Sequence, residues 1–593
     1  MQHRSWRRAG LAVSAIGLGL AAVIATAPAG AADKVTFSVG TAQDIDSINP
    51  LVGALVIDYE IWNLQYATLT DKAAKDFSVT PGLAESWKIS DDGLTVTYTL
   101  REGLKWSDGQ PLTAEDVAYT INRSRDEEWI NHVSTTANLD AKALDDRTVE
   151  VTSSVPDPKL PVMDVYIVPK HVYEKYDKEA VYEYDGQDGV GSGPFTVTEV
   201  KKGEFVRMAQ NPNWHGKKPA MDEVIFRIYA NSEAQYQALK TGELDAVDDV
   251  PIEIFTTLDP KGDIAPIAGN QGDFFELAMN SGCGTLGDGH PALKDVKVRQ
   301  AINYAIDRDL LIEKIVSGLG RRGAALPVSA DASWYGDLGL PEANQFGFDP
   351  EKAKALLDEA GWKDTNGDGT RDKDGQELKL RLFDLTGQVS QQNTPFIVGW
   401  LKDIGIATDV NSTDSTQLTP IIGKGEYDLF VWGWTPFVDP DPMLSYFTKD
   451  QVTTDPEVPL YNDANWCNDE YDALYEQQKV ELDPAKRREL VKQMLTIFYQ
   501  EAPYVVLYQY DVTQALRQDR WTNFVRQPAE TGPVLFTNTS PAYVELQRVE
   551  GSGGGGGSNT GLIIGVAAAG VAVLAGVGIF ARSRRRGDDD ERE

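Results

Sequence analysis

Two tryptophans, Trp432 and Trp434, flank Gly433 at the end of an apolar run, and two carboxylates set among prolines follow in Asp439-Pro440-Asp441-Pro442. Indoles offer flat faces to a ligand and carboxylates in a rigid turn offer charge, so residues 425–448 could form a binding wall. Tyr427 to Trp432, rich in aromatic and β-branched residues, is expected to be a buried strand that ends at Gly433. In open α/β sheets, ligands lie in the crevice outside the carboxyl ends of strands, where this strand would deliver both indoles. The competing reading puts both indoles in the core and makes the Asp-Pro repeat a plain loop.

Other chemistry is sparse. Asp364, Asn366, Asp368 and Asp372 follow the spacing of a calcium loop, with Gly369 at the sixth position. The twelfth position is Gly375, where a bidentate Glu would sit, and an ordinary Asp/Gly-rich turn before the strand Leu378–Phe383 fits the same residues. Both readings stand, and Ca2+ is the one cofactor they leave open. Gly318-Leu-Gly-Arg-Arg-Gly323 matches the dinucleotide fingerprint by letter, but it follows a helical pattern and reads as a helix end and loop. Neither a Gly-x-Ser-x-Gly elbow nor a His-Glu-x-x-His zinc motif nor a phosphate loop occurs, so no enzyme is expected.

The elements that must position these residues belong to a large acidic chain. Its 593 residues predict two or three domains, and 56 Lys+Arg against 90 Asp+Glu give a net charge of −34. Without a basic stripe, nucleic acid is a poor partner. Five histidines and two cysteines give a His/Cys metal site little to draw on. Residues 1–32 have the basic start, apolar middle and small-residue end of a signal peptide. Residues 549–560 form a Gly/Ser linker, 561–581 an apolar segment long enough to span a bilayer, and 582–593 a charged tail opening with arginines. Those arginines place the tail inside the cell and the main body outside, tethered to the membrane by its own C-terminal helix. In that oxidising setting Cys283 and Cys467 are expected to pair, with two free thiols as the alternative.

Along the body, Val35–Val39 reads as a strand, followed by a polar loop carrying Asp44, Ile45 and Asp46 and then a helix from about Leu55. From Pro81 comes a hairpin with turns at Asp92-Gly93 and Asp108-Gly109, and Thr113 with Asp116 reads as the capping box of a helix over 114–123. This stretch resembles the signature of the family 5 substrate-binding proteins of ABC transporters, the dipeptide-, oligopeptide- and nickel-binding group. Further landmarks recur in order: Ile167-Val-Pro-Lys-His171, Gly191-Ser-Gly-Pro-Phe195, Asn211-Pro-Asn-Trp-His-Gly216, Val298–Asp307 and Glu501-Ala-Pro503.

The resemblance implies an α/β, two-lobed periplasmic-binding-protein-like (class II) fold with an inserted third domain, to which the sequence adds the signal peptide and the C-terminal transmembrane helix. It divides the body into lobe I at 33–279 with the insertion at about 61–189, lobe II at 280–502, and a closing segment of lobe I at 503–548. The candidate ligand contacts are Asp44, Ile45, Asp46, Asn280, Trp432, Gly433, Trp434 and Asp439. Dipeptide- and oligopeptide-binding members place an aspartate shortly after the tryptophan, against the peptide α-amino group. Here Thr435, Pro436, Phe437 and Val438 fill that place, and Asp439 comes slightly later. The arginine that captures a dipeptide carboxylate has no evident counterpart, Arg381 lying inside a strand. The expectation is an extracytoplasmic receptor that passes peptides longer than two residues to ABC permease subunits and, through them, to the ATPase. An oligosaccharide or other non-peptide solute is the alternative, and a membrane-anchored hydrolase a more distant one.

Overall fold

Three sheets organise the chain, and the strands connecting the two largest define the site. The computed structural model describes residues 34–550 apart from 53–54, 130, 187, 285, 324–325, 336–337, 341–344, 387–388, 456–460 and 536–540. The signal peptide and the C-terminal span expected from the sequence lie outside the described residues. Among the described residues no helix is long and apolar enough to cross a membrane.

The first lobe is built on a seven-stranded sheet in the spatial order Ile264–Gly269, Val512–Arg517, Ala246–Val247, Thr36–Thr41, Glu223–Ile228, Phe205–Gln210, Phe195–Lys201. Thr36–Thr41 pairs in parallel with Glu223–Ile228 and Ala246–Val247, so the carboxyl ends of these strands share one edge. Helix Val56–Gln65 buries Ile57, Ile61 and Leu64 in the same core as Phe37, Val39 and Phe226. That helix therefore belongs to the first lobe, and the inserted domain starts after it, not at 61.

The inserted domain packs a four-stranded antiparallel sheet, Ala84–Ile89, Thr95–Leu100, Thr148–Ser153, Leu139–Ala143, against helix Ala114–Glu127. Val96, Tyr98 and Leu100 alternate inward as the period of two requires. The helix starts as its sequence dictates, with the Thr113 N–H donating to Asp116 Oδ2 at 2.9 Å. Trp106 is completely buried in this core.

The second lobe carries a six-stranded sheet in the order Gly320–Arg321, Tyr504–Tyr510, Phe274–Met279, Leu429–Trp434, Lys379–Leu385, Ala407–Thr413. The chain passes between lobes twice, through residues 270–273 and through Asp511 alone. Both Phe274–Met279 and Tyr504–Tyr510 are thus strands of the second sheet, and the lobe boundaries fall at these crossings and not at 280 and 503. The crossings are stitched together by Tyr510, whose N–H donates to the Asp273 carbonyl at 3.1 Å. Cys283 and Cys467 form a disulfide within this lobe, with Cα atoms 5.8 Å apart.

Candidate functional site

The registers place both lobes' strand ends around one cleft. Leu429–Trp434 runs antiparallel to Phe274–Met279, with Phe274 opposite Trp434 and Met279 opposite Leu429. Since Phe274 follows the interlobe crossing, Trp434 lies at the cleft end of its strand. The strand does not stop at Gly433; Gly433 and Trp434 pair with Phe275 and Phe274. Alternation puts Phe274, Glu276, Trp432 and Trp434 on one face of the sheet. Both indoles are partly buried against the core beneath that face.

Aromatic rings extend this wall. Trp434 and Tyr446 have ring centroids 5.6 Å apart, and Tyr446 stacks on Tyr461 at 4.7 Å. Tyr59 approaches them from the first lobe's helix: burial, with Asp58 and then Tyr461 adding to it, pushes its hydroxyl up in pKa. On the same lobe, Asp44 and Asp46 are exposed on the loop after the first strand, while Ile45 is buried. The Ile45 N–H donates to Asp44 Oδ1 at 2.8 Å and the Asp46 N–H to Asp58 Oδ1 at 3.0 Å.

Other expected contacts lie elsewhere. Asn280 is only 1 % exposed and sits beyond Met279, at the strand end away from the crossing. Its amide donates to the carbonyls of Gly425 and Tyr427, and its oxygen accepts from the Gly282 N–H and the Asn465 amide. Those bonds exhaust it as a structural lock. Asp439 is held in a two-pronged ion pair by Arg487, at 2.7 and 2.8 Å, and also accepts from the Asp441 N–H. It is therefore not free for the α-amino role that the resemblance gives to an aspartate after the tryptophan. Arg381 pairs with Asp428 and Asp288 near the amino end of its own strand.

The calcium-like run is tied by hydrogen bonds between its own backbone and side chains. Asp364 accepts from the N–H groups of Gly367 and Gly369, Asp368 from that of Thr370, and Asn366 from that of Asp368. Asp372 takes the Thr365 hydroxyl and N–H. These are the bonds of a tight Asx turn. Among the described residues no group of three or more His, Cys, Asp or Glu is placed to hold a metal ion.

The cleft region is richer in buried acids than the sequence suggested. Burial, and after it Asp463, lifts the Glu276 carboxyl well above its usual range. Burial lifts Asp463 to about 7 and Asp273 to about 6. In the first lobe burial lifts Asp248, just past Ala246–Val247, to about 7, and lifts Glu60 with Asp248 adding to it. Glu276 had a sequence signal, a lone ionisable residue inside the apolar Phe-Phe-Glu-Leu-Ala-Met strand. Tyr59, Tyr446 and Tyr461 had none, because three separated segments bring them together.

The inserted domain closes over the second lobe beside this wall. Lys159 Nζ lies 2.6 Å from Asp441 Oδ2, and Asp441 Oδ1 accepts from the Gln478 amide at 2.7 Å. Arg487 Nε donates to Gln478 Oε1 at 3.1 Å, which joins the Asp439 pair to the same chain of contacts. Nearby, Phe77 packs with Ala330 and Val438 of the second lobe. At the tip of the hairpin, Gly93 has φ +69° and lies so close to the second lobe that a Cβ would fall 2.1 Å from Leu482 Cδ1.

Two sheets joined by paired crossings, aromatic rings of both lobes beside the crossing, and a third domain in contact with the second lobe make up a two-lobed binding-protein frame. The family model for bacterial extracellular solute-binding proteins, family 5, matches residues 78–455. The chain belongs to that family and is a solute-binding protein. It is 29% identical over 532 residues to protein XP55 of Streptomyces lividans, covering 87% of this chain and 92% of the relative. It is 26% identical over 488 residues to the oligopeptide-binding protein AppA of Bacillus subtilis, covering 79% and 85%. The solved structure of that AppA with a nonapeptide has a TM-score of 0.71 and 23% identity, over 87% of this chain and 99% of AppA. NikZ from Campylobacter jejuni, solved with Ni(L-His), has a TM-score of 0.72 and 22% identity, over 86% and 99%. At such identities the superpositions establish the fold.

Proposed function

We propose that this protein is the receptor of an ABC importer, tethered outside the cytoplasmic membrane, and that its cargo is a peptide of more than two residues. The observation that carries the reading is an aromatic group beside the interlobe crossing: Trp434, Tyr446 and Tyr461 of the second lobe, with Tyr59 of the first lobe's helix close to Tyr461. A long cleft between sheet ends can hold an extended peptide through its backbone while side chains occupy tolerant pockets. AppA, named for oligopeptide binding and solved around a nonapeptide, supports the reading. The absence of an acid at 435–438 and the engagement of Asp439 by Arg487 argue against a cargo clamped at its α-amino group as dipeptides are. Mass spectrometry of solute carried through purification tests it: peptide masses are expected, and a sugar or metal chelate as the bound species would overturn it. The stacked Tyr446–Tyr461 pair is the feature that favours a sugar as second reading.

The tether rests on composition, the apolar 561–581 followed by Arg582 and Arg584–Arg586. Protease added to intact cells is expected to release nearly the whole body, and protection until lysis would reverse the orientation. Cargo passes to the permease by lobe opening, the hinge motion that paired crossings permit. A labelled peptide should leave the purified protein intact; its cleavage would favour the hydrolase.

A further inference from the structure

The second lobe buries a carboxyl that its own chain does not use. Glu276 lies midway along Phe274–Met279, 0 % exposed, and among the described residues no other side chain or backbone group forms a hydrogen bond with Oε1 or Oε2. Buried polar groups are nearly always satisfied, and an exception calls for an explanation. Among the described residues, the elements packed against Glu276 supply no cation. Its cross-strand neighbours are Trp432 and Val506. The charged group that reaches it is a second acid, Asp463, whose carboxyl takes the Tyr504 hydroxyl. Around Tyr510, which also senses Glu276, Asp273 and Asp249 add two more carboxyls. Arg321, which reaches the same region through Tyr335, is already paired with Asp511.

The position of Glu276 ties it to the cleft. It shares a sheet face with Trp432 and Trp434, and the buried Trp434 Nε1, beside the Tyr504 hydroxyl, closes no hydrogen bond of normal geometry. Glu276 and two indoles thus share one sheet face, with Asp463 near enough to act on Glu276 and the Trp434 N–H directed toward the Tyr504 hydroxyl. We infer that Glu276, backed by Asp463, is the subsite for a cationic side chain of the bound solute, a lysine or an arginine. An ammonium would donate to the Glu276 carboxylate while lying against the indoles, combining a charge-assisted hydrogen bond with cation–π attraction. Burial raises both carboxyls above the ordinary carboxylate range, with Asp463 adding to the rise of Glu276, and so favours the neutral forms that a core tolerates. The inference rests on cleft binding as proposed above and adds the charge of the cargo.

The test titrates the full-length protein with tetrapeptides carrying one lysine, moved through the four positions, against the same peptides with norleucine. At one position the lysine peptide should bind at least about 10-fold tighter, and Glu276→Gln, which matches the neutral acid in shape, should erase the difference. Asp463→Asn should reduce it. Equal affinity for lysine and norleucine at every position, or a preference that survives both substitutions, overturns the subsite. If no tetrapeptide binds, the peptide reading falls by itself, and the diamine cadaverine decides the subsite. Cadaverine binding that is lost in Glu276→Gln sustains it, and no binding, or binding unaffected by the substitution, overturns it.

Discussion

Replacing Lys159 by Met should open the receptor. The substitution keeps the aliphatic stem and deletes the charge that links the inserted domain to Asp441 of the second lobe, 2.6 Å away. Asp441 keeps its bond from Gln478 but loses its cation while its side chain is only 11 % exposed. A hydrogen bond to a charged group contributes about 1.5–3 kcal/mol. Lys159 is 25 % exposed, and screening trims the expectation to about 1–2 kcal/mol. That is a fall of about 5- to 30-fold in the ratio of closed to open receptor. Where only the closed form holds cargo, apparent affinity falls in proportion to the closed fraction. Dyes on the exposed Leu144 of the inserted domain and Val410 of the second lobe would report the two populations by single-molecule energy transfer. Burial opposes the charge of both partners, yet Lys159 and its neighbours hold Asp441 below the ordinary carboxylate range, and Asp441 and Asp157 raise Lys159. Neutral and mildly acidic buffers should therefore leave the clasp intact. A double-mutant cycle with Asp441→Asn isolates the pair. Additive effects together with an unchanged distance distribution in Lys159→Met would refute the reasoning.

Other expectations follow from the same contacts. Trp106→Ala, deep in the inserted domain, should cost about 3–5 kcal/mol of stability, whereas the partly buried Trp434 should cost less on truncation and weaken cargo binding by about 1–3 kcal/mol; equal unfolding by both would make Trp434 purely core. Asp273 and Asp463, raised to about 6 and about 7, bind protons more tightly folded than unfolded, so they stabilise below the ordinary carboxylate range and that contribution is lost as pH rises through 6–7. Melting temperatures across that window should decline less in Asp463→Asn than in the parent, and identical slopes would count against the assignment. Cys283→Ser with Cys467→Ser opens a loop with a sequence separation of 184 and should cost about 2–5 kcal/mol in a denaturant titration, an unchanged midpoint being the contrary result. Chelator should leave the melting temperature unchanged, because the 364–372 turn is closed by its own N–H groups, and a calcium-restored loss of stability would revive the ion.

What could be read from the chain was whatever a short stretch decides. The Thr113 and Asp116 capping box, the Asp92-Gly93 turn and the alternation of Val96, Tyr98 and Leu100 carry their causes within a few residues, and each has its expected form. The role of a side chain in the site depends on partners far along the chain. Nothing near Asp439 announces Arg487, and nothing near Asn280 announces that Gly425 and Tyr427 will consume its amide. Lys159 and Asp441 are 282 positions apart. The Asp-Pro repeat after Trp434 looked like a ligand clamp because its charges were visible and their partners were not. Its carboxylates instead fasten the end of the binding strand to two other parts of the molecule, Asp439 to Arg487 and Asp441 to Lys159 of the inserted domain. That arrangement leaves the acid for cargo inside the strand, at Glu276, and gives the turn a different task. If solute binds at Trp434 as proposed, it touches a strand whose next turn holds the clasp, and cargo that reaches Glu276 should then favour the closed lobes more than cargo that does not.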